Sequence, residues 1–502
     1  MRMTAAEMLR RIAATLKTAP MVTAFAIFTA GVILFDRCEV PALLLWIPFA
    51  GCCTAALLLH RTATGKAAVC AALFLFGGAV WTLRDSRNPI PQNSSVIMDV
   101  EIADVPSERT NGRISVPVRI IGYDDGTGHR TARIRAIMWS DSTLAASFGD
   151  IITAFAKLRP FRYPQSGVSK LMMRRGYAGT LFVTAADTLS VQRGAGRRTI
   201  HRTAVERFER LDLPEQTLAV ARSMGAGDRS LMSPELRQAY ARSGVSHILA
   251  ISGLHIGIVF LLANLLFRPL TLLRHGQIIA ATAVLAPVWL YAAAAGFPPS
   301  VTRAAVMFSM LQCAKACTAS YFSPNIVAAT AFVMAAANPD IIFDTAFQLS
   351  FAAVAAIVTV GRPLFRLRHI NNPLLRFLWD TFIIGIVAFT ATAPLICNTF
   401  GQISLAGLIL NPLVIICAGI IVSFSALWIV FPAASVQPAV EVVLGLTAQL
   451  QNRAVEALAS CPQLSFEVSL SDGATIFIYV VFAISILIVA SLGSGRNKKL
   501  LL

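Results

Sequence analysis

The densest set of groups able to do chemistry in this sequence lies inside an apolar run: Ser243-Gly244-Val245-Ser246-His247-Ile248-Leu249-Ala250-Ile251-Ser252-Gly253-Leu254-His255-Ile256-Gly257. A polar side chain in a run of this hydrophobicity is costly, so each needs a partner or a wet path. Read as one helix over Val245–Phe267, the run places His247, Ile251 and His255 on one face, with Ser252 farther round. Three readings fit. The groups hydrogen-bond neighbouring helices, they line a polar pore, or Ser252 is a nucleophile with His255 as its base. The last requires a base–nucleophile hydrogen bond and a third group to orient the base, and the sequence offers no evident third group. The two histidines are about 12 Å apart in helical rise and cannot share one metal by themselves. Gly253 and Gly257 form a small-xxx-small seam that lets a second helix approach closely.

Three further clusters follow. In Gly296-Phe297-Pro298-Pro299-Ser300-Val301-Thr302-Arg303 the prolines end one helix and start the next. Arg303, one turn in, either snorkels outward or presents a cation to a phosphate at a helix N-terminus. Asp344 and Gln348 are i, i+4 neighbours, with Ser350 beyond them. Thr390, Thr392, Pro394, Asn398, Gln402, Ser404, Asn411 and Pro412 form the last group, whose prolines suggest broken helices with freed backbone groups lining a cavity.

Several chemistries have no footing. There is no G-x-x-x-x-G-K-[ST] phosphate loop, no H-x-H-x-D, no H-E-x-x-H and no C-x-x-C. The nine cysteines lie mostly in apolar segments, and the polar stretch from about residue 85 to 243 has none, so packing rather than a disulfide framework is expected. Cys313 and Cys317 are one turn apart, but no His or acid stands beside them in sequence to complete a metal site. No metal or cofactor is expected.

The elements that carry these groups are membrane helices. Of 502 residues 56% are hydrophobic and 14% charged, against about 25% charged in a soluble domain, and the mean hydropathy is +0.67. That excludes a soluble enzyme and a disordered chain. The apolar runs are Met21–Phe35, Val40–Leu59 and Ala67–Leu83, then Val245–Phe267, Gln277–Gly296, Val301–Thr318, Asn325–Asn338, Ile341–Gly361, Leu378–Phe400, Ile403–Phe431, Ala439–Ser460 and Gly473–Leu492. They predict about 10–12 spans of a polytopic α-helical membrane protein. Asn325–Asn338 is short for a span, and Ala439–Ser460, which carries Glu441, Arg453 and Glu456, suits a surface position. The first run reads as an uncleaved anchor. The net charge of +17 comes from 43 Lys+Arg against 26 Asp+Glu. Basic loops such as Arg362–Arg376 put both termini in the cytoplasm by the positive-inside rule. The remaining basic residues suit a polyanion, nucleic acid or anionic lipid.

The boundaries expected are membrane helices over 1–84, a β domain over 94–195, amphipathic surface helices over 197–243 and a membrane domain over 244–495. In the β domain, period-two segments such as Val96–Ile102 and Ile114–Ile120 alternate with turns at Asn111-Gly112 and Asp124-Asp125-Gly126. Five such strands fit a small antiparallel barrel outside the membrane. Arg113, Arg119, Arg133 and Arg135 are either a solvated strand face or a nucleic-acid contact surface, beside the aromatics Tyr123, Trp139, Phe155, Phe161, Tyr163 and Tyr177. In 197–243, Arg197, Arg198, Arg202, Arg207 and Arg210 would line a helix along the membrane, and Asp228 is the expected cap before Leu231–Tyr240.

Gly225-Ala226-Gly227-Asp228-Arg229-Ser230 and the Ser243–Gly257 run closely resemble the ComEC family of competence proteins. Pro299-Ser300-Val301-Thr302-Arg303-Ala304, Asn338-Pro339, Phe347-Gln348-Leu349-Ser350-Phe351 and Asn411-Pro412 resemble its later motifs in the same order. The resemblance implies an inner-membrane channel, not an enzyme, that passes one strand of transforming DNA into the cytoplasm. It implies an OB-like extracytoplasmic β domain after the third helix and a path lined by His247, Ser252, His255, Arg303, Asp344, Gln348, Ser350 and Asn411. Its partners would be single-stranded DNA and membrane lipids. Outside stands a DNA receptor or competence pilus; inside, a cytosolic helicase or strand-binding protein supplies energy. Many members carry a C-terminal metallo-β-lactamase-like domain that this chain is expected to lack, so a separate nuclease would degrade the other strand. The rival classes are an intramembrane hydrolase on Ser252 and His255 and a small-molecule transporter.

Overall fold

The computed structural model describes residues 19–82 (without 37, 39 and 41), 95–193 (without 104–106, 109–112, 127, 142–148, 162–171 and 174–175), 199–316, 324–361, 364, 370–460 and 465–493. The chain is mostly helical, with a β-sheet region early in its length. The first helices are α1 (Pro20–Phe35), α2 (Ala42–Leu58) and α3 (Ala63–Thr82). α1 and α3 touch backbone to backbone: a Cβ on Gly77 would stand 2.3 Å from the Phe28 carbonyl oxygen, and one on Gly31 2.1 Å from that of Phe74. Only glycine allows so close an approach.

The sheet comprises β1 (Ser95–Ile102), β2 (Ser107–Glu108), β3 (Arg113–Asp124), β4 (His129–Asp141), β5 (Ile151–Lys157), β6 (Tyr177–Phe182) and β7 (Thr188–Gln192). Its order is β6-β4-β3-β1-β5-β7, with β2 on β3. β4 and β6 run parallel, and the other named pairs are antiparallel. Just past β5, Arg159 bridges Thr180 of β6, which returns the sheet to its first strand. The strands β1, β3, β4, β6 and β5 thus close on themselves around a core of Val96, Met98, Val100, Ile102, Val116, Val118, Ile120, Met138, Ile152, Leu181 and Val183. Strict alternation produces this inside and outside. One aromatic departs from the expected outer set: a register shift between Ile120 and Gly122 turns Tyr123 inward, where it is buried.

The second half contains α4 (Ile200–Phe208), α5 (Glu215–Ala226), α6 (Pro234–Arg242), α7 (Ser246–Leu249), α8 (Gly253–Phe267), α9 (Gly276–Ala294), α10 (Pro299–Ala316), α11 (Pro324–Ala337), α12 (Thr345–Ala356), α13 (Pro373–Phe400), α14 (Ala406–Val430), α15 (Gln437–Ala459) and α16 (Asp472–Gly493). Among the described residues five helices are long and apolar enough to cross a membrane: Ala63–Thr82, Gly253–Leu272, Gly276–Ala294, Pro373–Phe400 and Ala406–Val430. Shorter apolar helices lie at Pro20–Phe35, Leu44–Leu58, Pro324–Ala337, Thr345–Gly361 and Asp472–Ser485. α15 packs Val440, Leu444, Ala448 and Val455 into the core it shares with α5 and α14.

Five sequence expectations are corrected here. Val245–Phe267 is not one helix: the chain is extended at Ala250 and Ser252, and α8 starts at Gly253. Ile341–Gly361 is likewise interrupted, with a 3₁₀ turn over Pro339–Phe343 before α12. Conversely, Pro394 and Pro412 sit inside the continuous helices α13 and α14. A proline removes one N–H from the ladder without ending the helix here, and close to Pro394 the Tyr479 hydroxyl of α16 donates to the Ala391 carbonyl of α13 at 2.7 Å. Finally, α5 does not lie on a surface, since every residue from Ala219 to Ala226 is buried. The cap of α6 is Ser233, which accepts from the Leu236 N–H, and Asp228 is used otherwise.

Candidate functional site

The break before α8 is held by side chains from distant elements. An extended segment between helices leaves carbonyls without helical partners, and in an apolar surrounding each must find a donor. Serines from distant elements supply them. Ser223 on α5 donates to the Leu249 carbonyl at 2.7 Å, and Ser300 on α10 to the Ile251 carbonyl at 2.6 Å. Just upstream, Gly244 takes a φ of +72° against Ser404 and Gly407, and Ser404 donates to the Arg242 carbonyl at 2.9 Å.

Ser252 caps α8. Its hydroxyl accepts from the Leu254 N–H at 3.3 Å and stands 3.0 Å from His255 Nδ1, which also accepts from the Ser252 N–H at 3.2 Å. Here His255 fills the place that Glu or Gln takes in the usual capping box. An Nδ1 that accepts a backbone N–H is unprotonated, so the ring proton is on Nε2. That Nε2 is buried and has no hydrogen-bond partner among the described residues.

The arrangement bears on the hydrolase reading. The Ser252–His255 contact has the length that reading asks for. However, proton transfer would create an imidazolium on a residue with 0% exposure, with no carboxylate on its far nitrogen among the described residues. A buried, unpaired charge of this kind costs several kcal/mol, and a working triad avoids that cost with an acid.

The other expected path residues occupy different places. Arg303 is buried on α10, next to Ala304, which packs against Gly253 at 3.8 Å from the place of a Cβ; Gly257 meets Phe308 in the same seam. Asp344 caps α12 by accepting from the Ala346 N–H at 2.8 Å. Gln348 donates to the Ile342 carbonyl at 2.9 Å, so both side chains serve the interruption between the 3₁₀ turn and α12. Ser350 is half-buried and His247 exposed. Asn411 lies beside Gly385 of α13, and its Oδ1 is buried with no partner among the described residues. The structure therefore joins Ser252 with His255 as a local pair, while Asp344 and Gln348 each bond backbone at the second interruption. Cys313 is exposed, while Cys317 lies outside the described residues. Among the described residues no three His, Cys, Asp or Glu gather as a metal site.

On the barrel's outer face, Arg119 and Arg135 face each other across β3 and β4. Arg119 is held by Glu101 at 3.1 Å. Arg135 lies 4.6 Å over the Tyr177 ring and donates to its hydroxyl at 3.1 Å. The side chains of Arg113 and Arg133, and all of Tyr163, Arg197 and Arg198, lie outside the described residues. Phe155 and Phe182 are exposed on the same outer surface, and Trp139 and Phe161 are half-buried.

Sequence reasoning missed Arg222. Nine-tenths buried near the end of α5, its guanidinium is clamped by Asp228 (Nε–Oδ2 2.5 Å, with a second contact from Nη2) and reaches Glu209 at 3.6 Å. Ser230 donates through its N–H and hydroxyl to the same carboxylate, at 2.9 and 3.2 Å. The Gly225–Ser230 motif is thus a helix end: Gly227 takes φ +81° at the cap, and Asp228 neutralises the arginine. An arginine six residues before an aspartate, in a stretch from Leu218 to Ala226 whose other side chains are small or apolar, was the available signal.

The family model described as "Competence protein" matches residues 224–492, which hold both interruptions and the α8–α10 seam. The chain is similar to ComE operon protein 3 of Bacillus subtilis (strain 168), with 28% identity over 205 residues, 40% of this chain and 25% of that protein. The match therefore spans a quarter of that relative's length. No solved structure matches. With just over half of its residues under the family model, the chain belongs to the competence protein family, ComEC.

Proposed function

We propose that this protein is a channel in the cytoplasmic membrane that carries a single DNA strand inward during natural competence. The observation that carries the reading is the break before α8. Apolar helices stop and restart there around extended backbone, and polar groups such as His255 Nε2 are left inside without partners among the described residues. Interrupted helices of this kind are the device by which membrane proteins place backbone and polar side chains along a path. Such a path holds its cargo weakly at several points, so that a strand can leave as well as arrive. Arg303, Gln348 and Asn411 are the further groups along it.

The barrel supports the same reading. Its order β1-β3-β4-β6-β5 with one parallel pair, β4 and β6, corresponds to an OB-like fold. OB folds take single strands on the face of their second and third strands, here β3 and β4 with Arg119 and Arg135. In this proposal the barrel is extracytoplasmic and both termini are cytoplasmic. The strand comes from a receptor or pilus outside and is drawn by a helicase or strand-binding protein inside. Catalysis on Ser252 and His255 is the second reading, favoured by their 3.0 Å contact alone.

The test is a clean deletion of the gene in a competent host given labelled duplex DNA. DNA in the periplasm is scored separately from DNA in the cytoplasm. The channel reading expects normal periplasmic accumulation, no cytoplasmic label and restoration by the wild-type gene. Unchanged cytoplasmic label would overturn it.

A further inference from the structure

Helix α4 touches two bodies with two consecutive residues. Arg202 turns to the barrel: its guanidinium lies so close to Gly149 that a Cβ there would stand 2.7 Å from Nη1. Glu206 fixes that guanidinium at 2.9 Å. Gly149 is part of the barrel, donating its N–H to the Ile102 carbonyl at the end of β1. His201 turns the other way. Its Nδ1 lies 2.8 Å from the Ala294 carbonyl at the end of α9. Its ring fills the space under Gly296, 3.2 Å from where a Cβ would be. Gly296 (φ +77°) and Phe297 (φ +54°) form the elbow that launches α10, the helix of Ser300 and Arg303. Beyond these two residues α4 is anchored: Phe208 is fully buried against Gly225, and the Trp428 indole donates to the Arg207 carbonyl at 2.8 Å.

We infer that α4 is the strut that fixes the barrel relative to the α9–α10 elbow, and that His201 is the positioning residue that sets the elbow. Adjacent Cα atoms are about 3.8 Å apart, so barrel and elbow are linked through a single peptide unit. A non-glycine residue held at positive φ, as Phe297 is, persists only when its surroundings impose it. His201, donating to the carbonyl just before the elbow, is such a surrounding group. This rests on the channel reading for its consequence: a strand on the barrel reaches the break only if the elbow, through Ser300, is in register with it.

The experiment uses the full chain with spin labels at exposed Ser190 on the barrel and Pro299 on the elbow, in a background with the native cysteines replaced. His201→Phe keeps a ring under Gly296 and removes the donor. It should broaden the inter-label distance distribution and lower cytoplasmic DNA about tenfold, the scale of one hydrogen bond whose buried acceptor is left unpaired, with surface-bound DNA unchanged. His201→Asn, which retains an N–H, should restore both. Gly149→Leu displaces Arg202 without touching the elbow and should broaden the same distribution, which decides the matter if His201→Phe does not accumulate. A distribution unchanged in the variants, or an Asn variant no better than Phe, would overturn the strut. The distance measurement needs no DNA, so it still decides the strut if the deletion strain overturns the channel reading.

Discussion

Substitution of Ser252 separates a helix cap from a nucleophile. The hydroxyl accepts the Leu254 N–H and engages His255 Nδ1. Loss of a Ser cap to Ala costs about 1 kcal/mol, whereas Asn caps about as well as Ser and Gly loses only a few tenths. If Ser252 is a cap, Ser252→Ala weakens the break by about 1 kcal/mol, a factor of about five in any activity that depends on it. Ser252→Asn and Ser252→Gly should then stay within about twofold of wild type. If Ser252 is a nucleophile, all three remove the reacting oxygen and each costs about 10⁴-fold or more. The assay is transformation frequency with matched protein levels, read beside thermal unfolding of the detergent-solubilised protein. Near-wild-type function of the Asn variant is the expected result. An Asn variant as inactive as a null, with normal accumulation and melting, would refute the capping argument and restore the hydrolase.

Three other predictions follow from local geometry. Gly77→Leu must push α3 off the Phe28 carbonyl and should abolish accumulation in the membrane, while Gly51→Ala, which meets nothing within 4 Å, should be silent by immunoblot. Asp228→Asn strands the buried Arg222 guanidinium and should cost about 3–5 kcal/mol, seen as a loss of folded protein; the double variant Arg222→Met/Asp228→Asn should recover much of it. Arg135→Ala should weaken single-strand binding by the full-length protein and reduce the salt slope by about one ion. Arg119→Ala should change it less, because Glu101 already neutralises Arg119.

The barrel was legible because its strands alternate apolar and polar residues between turn signals, a pattern set by one buried face. The apolar runs were legible for a similar reason. Their interruptions were not. From Ile248 to Val259 the chain has no proline and only Ser252 and His255 interrupt its apolar side chains, and the donors that make the break at Ala250–Ser252 tenable, Ser223 and Ser300, lie 26 and 49 residues from their acceptors. Pro394 and Pro412 misled in the opposite sense, since a proline marks a lost hydrogen bond but not whether the helix stops there, and both lie inside continuous helices. The sequence offered Ser252 and His255 as one alternative on a continuous helix; the contact arises because Ser252 caps α8 instead, and its role depends on what lies beyond Nε2, which spacing does not contain. Tyr123 shows the same limit on a smaller scale: one bulge reverses its face.

The most direct test of the central claim is a photoreactive residue placed at position 247, where the side chain at the break is exposed, and another at position 265 on the exposed apolar face of α8. Labelled DNA is then stalled in transit and the cells irradiated. The account predicts strand adducts at 247 and none at 265. DNA that reaches the cytoplasm without adducts at 247, or with equal adducts at both positions, would contradict a path along the break.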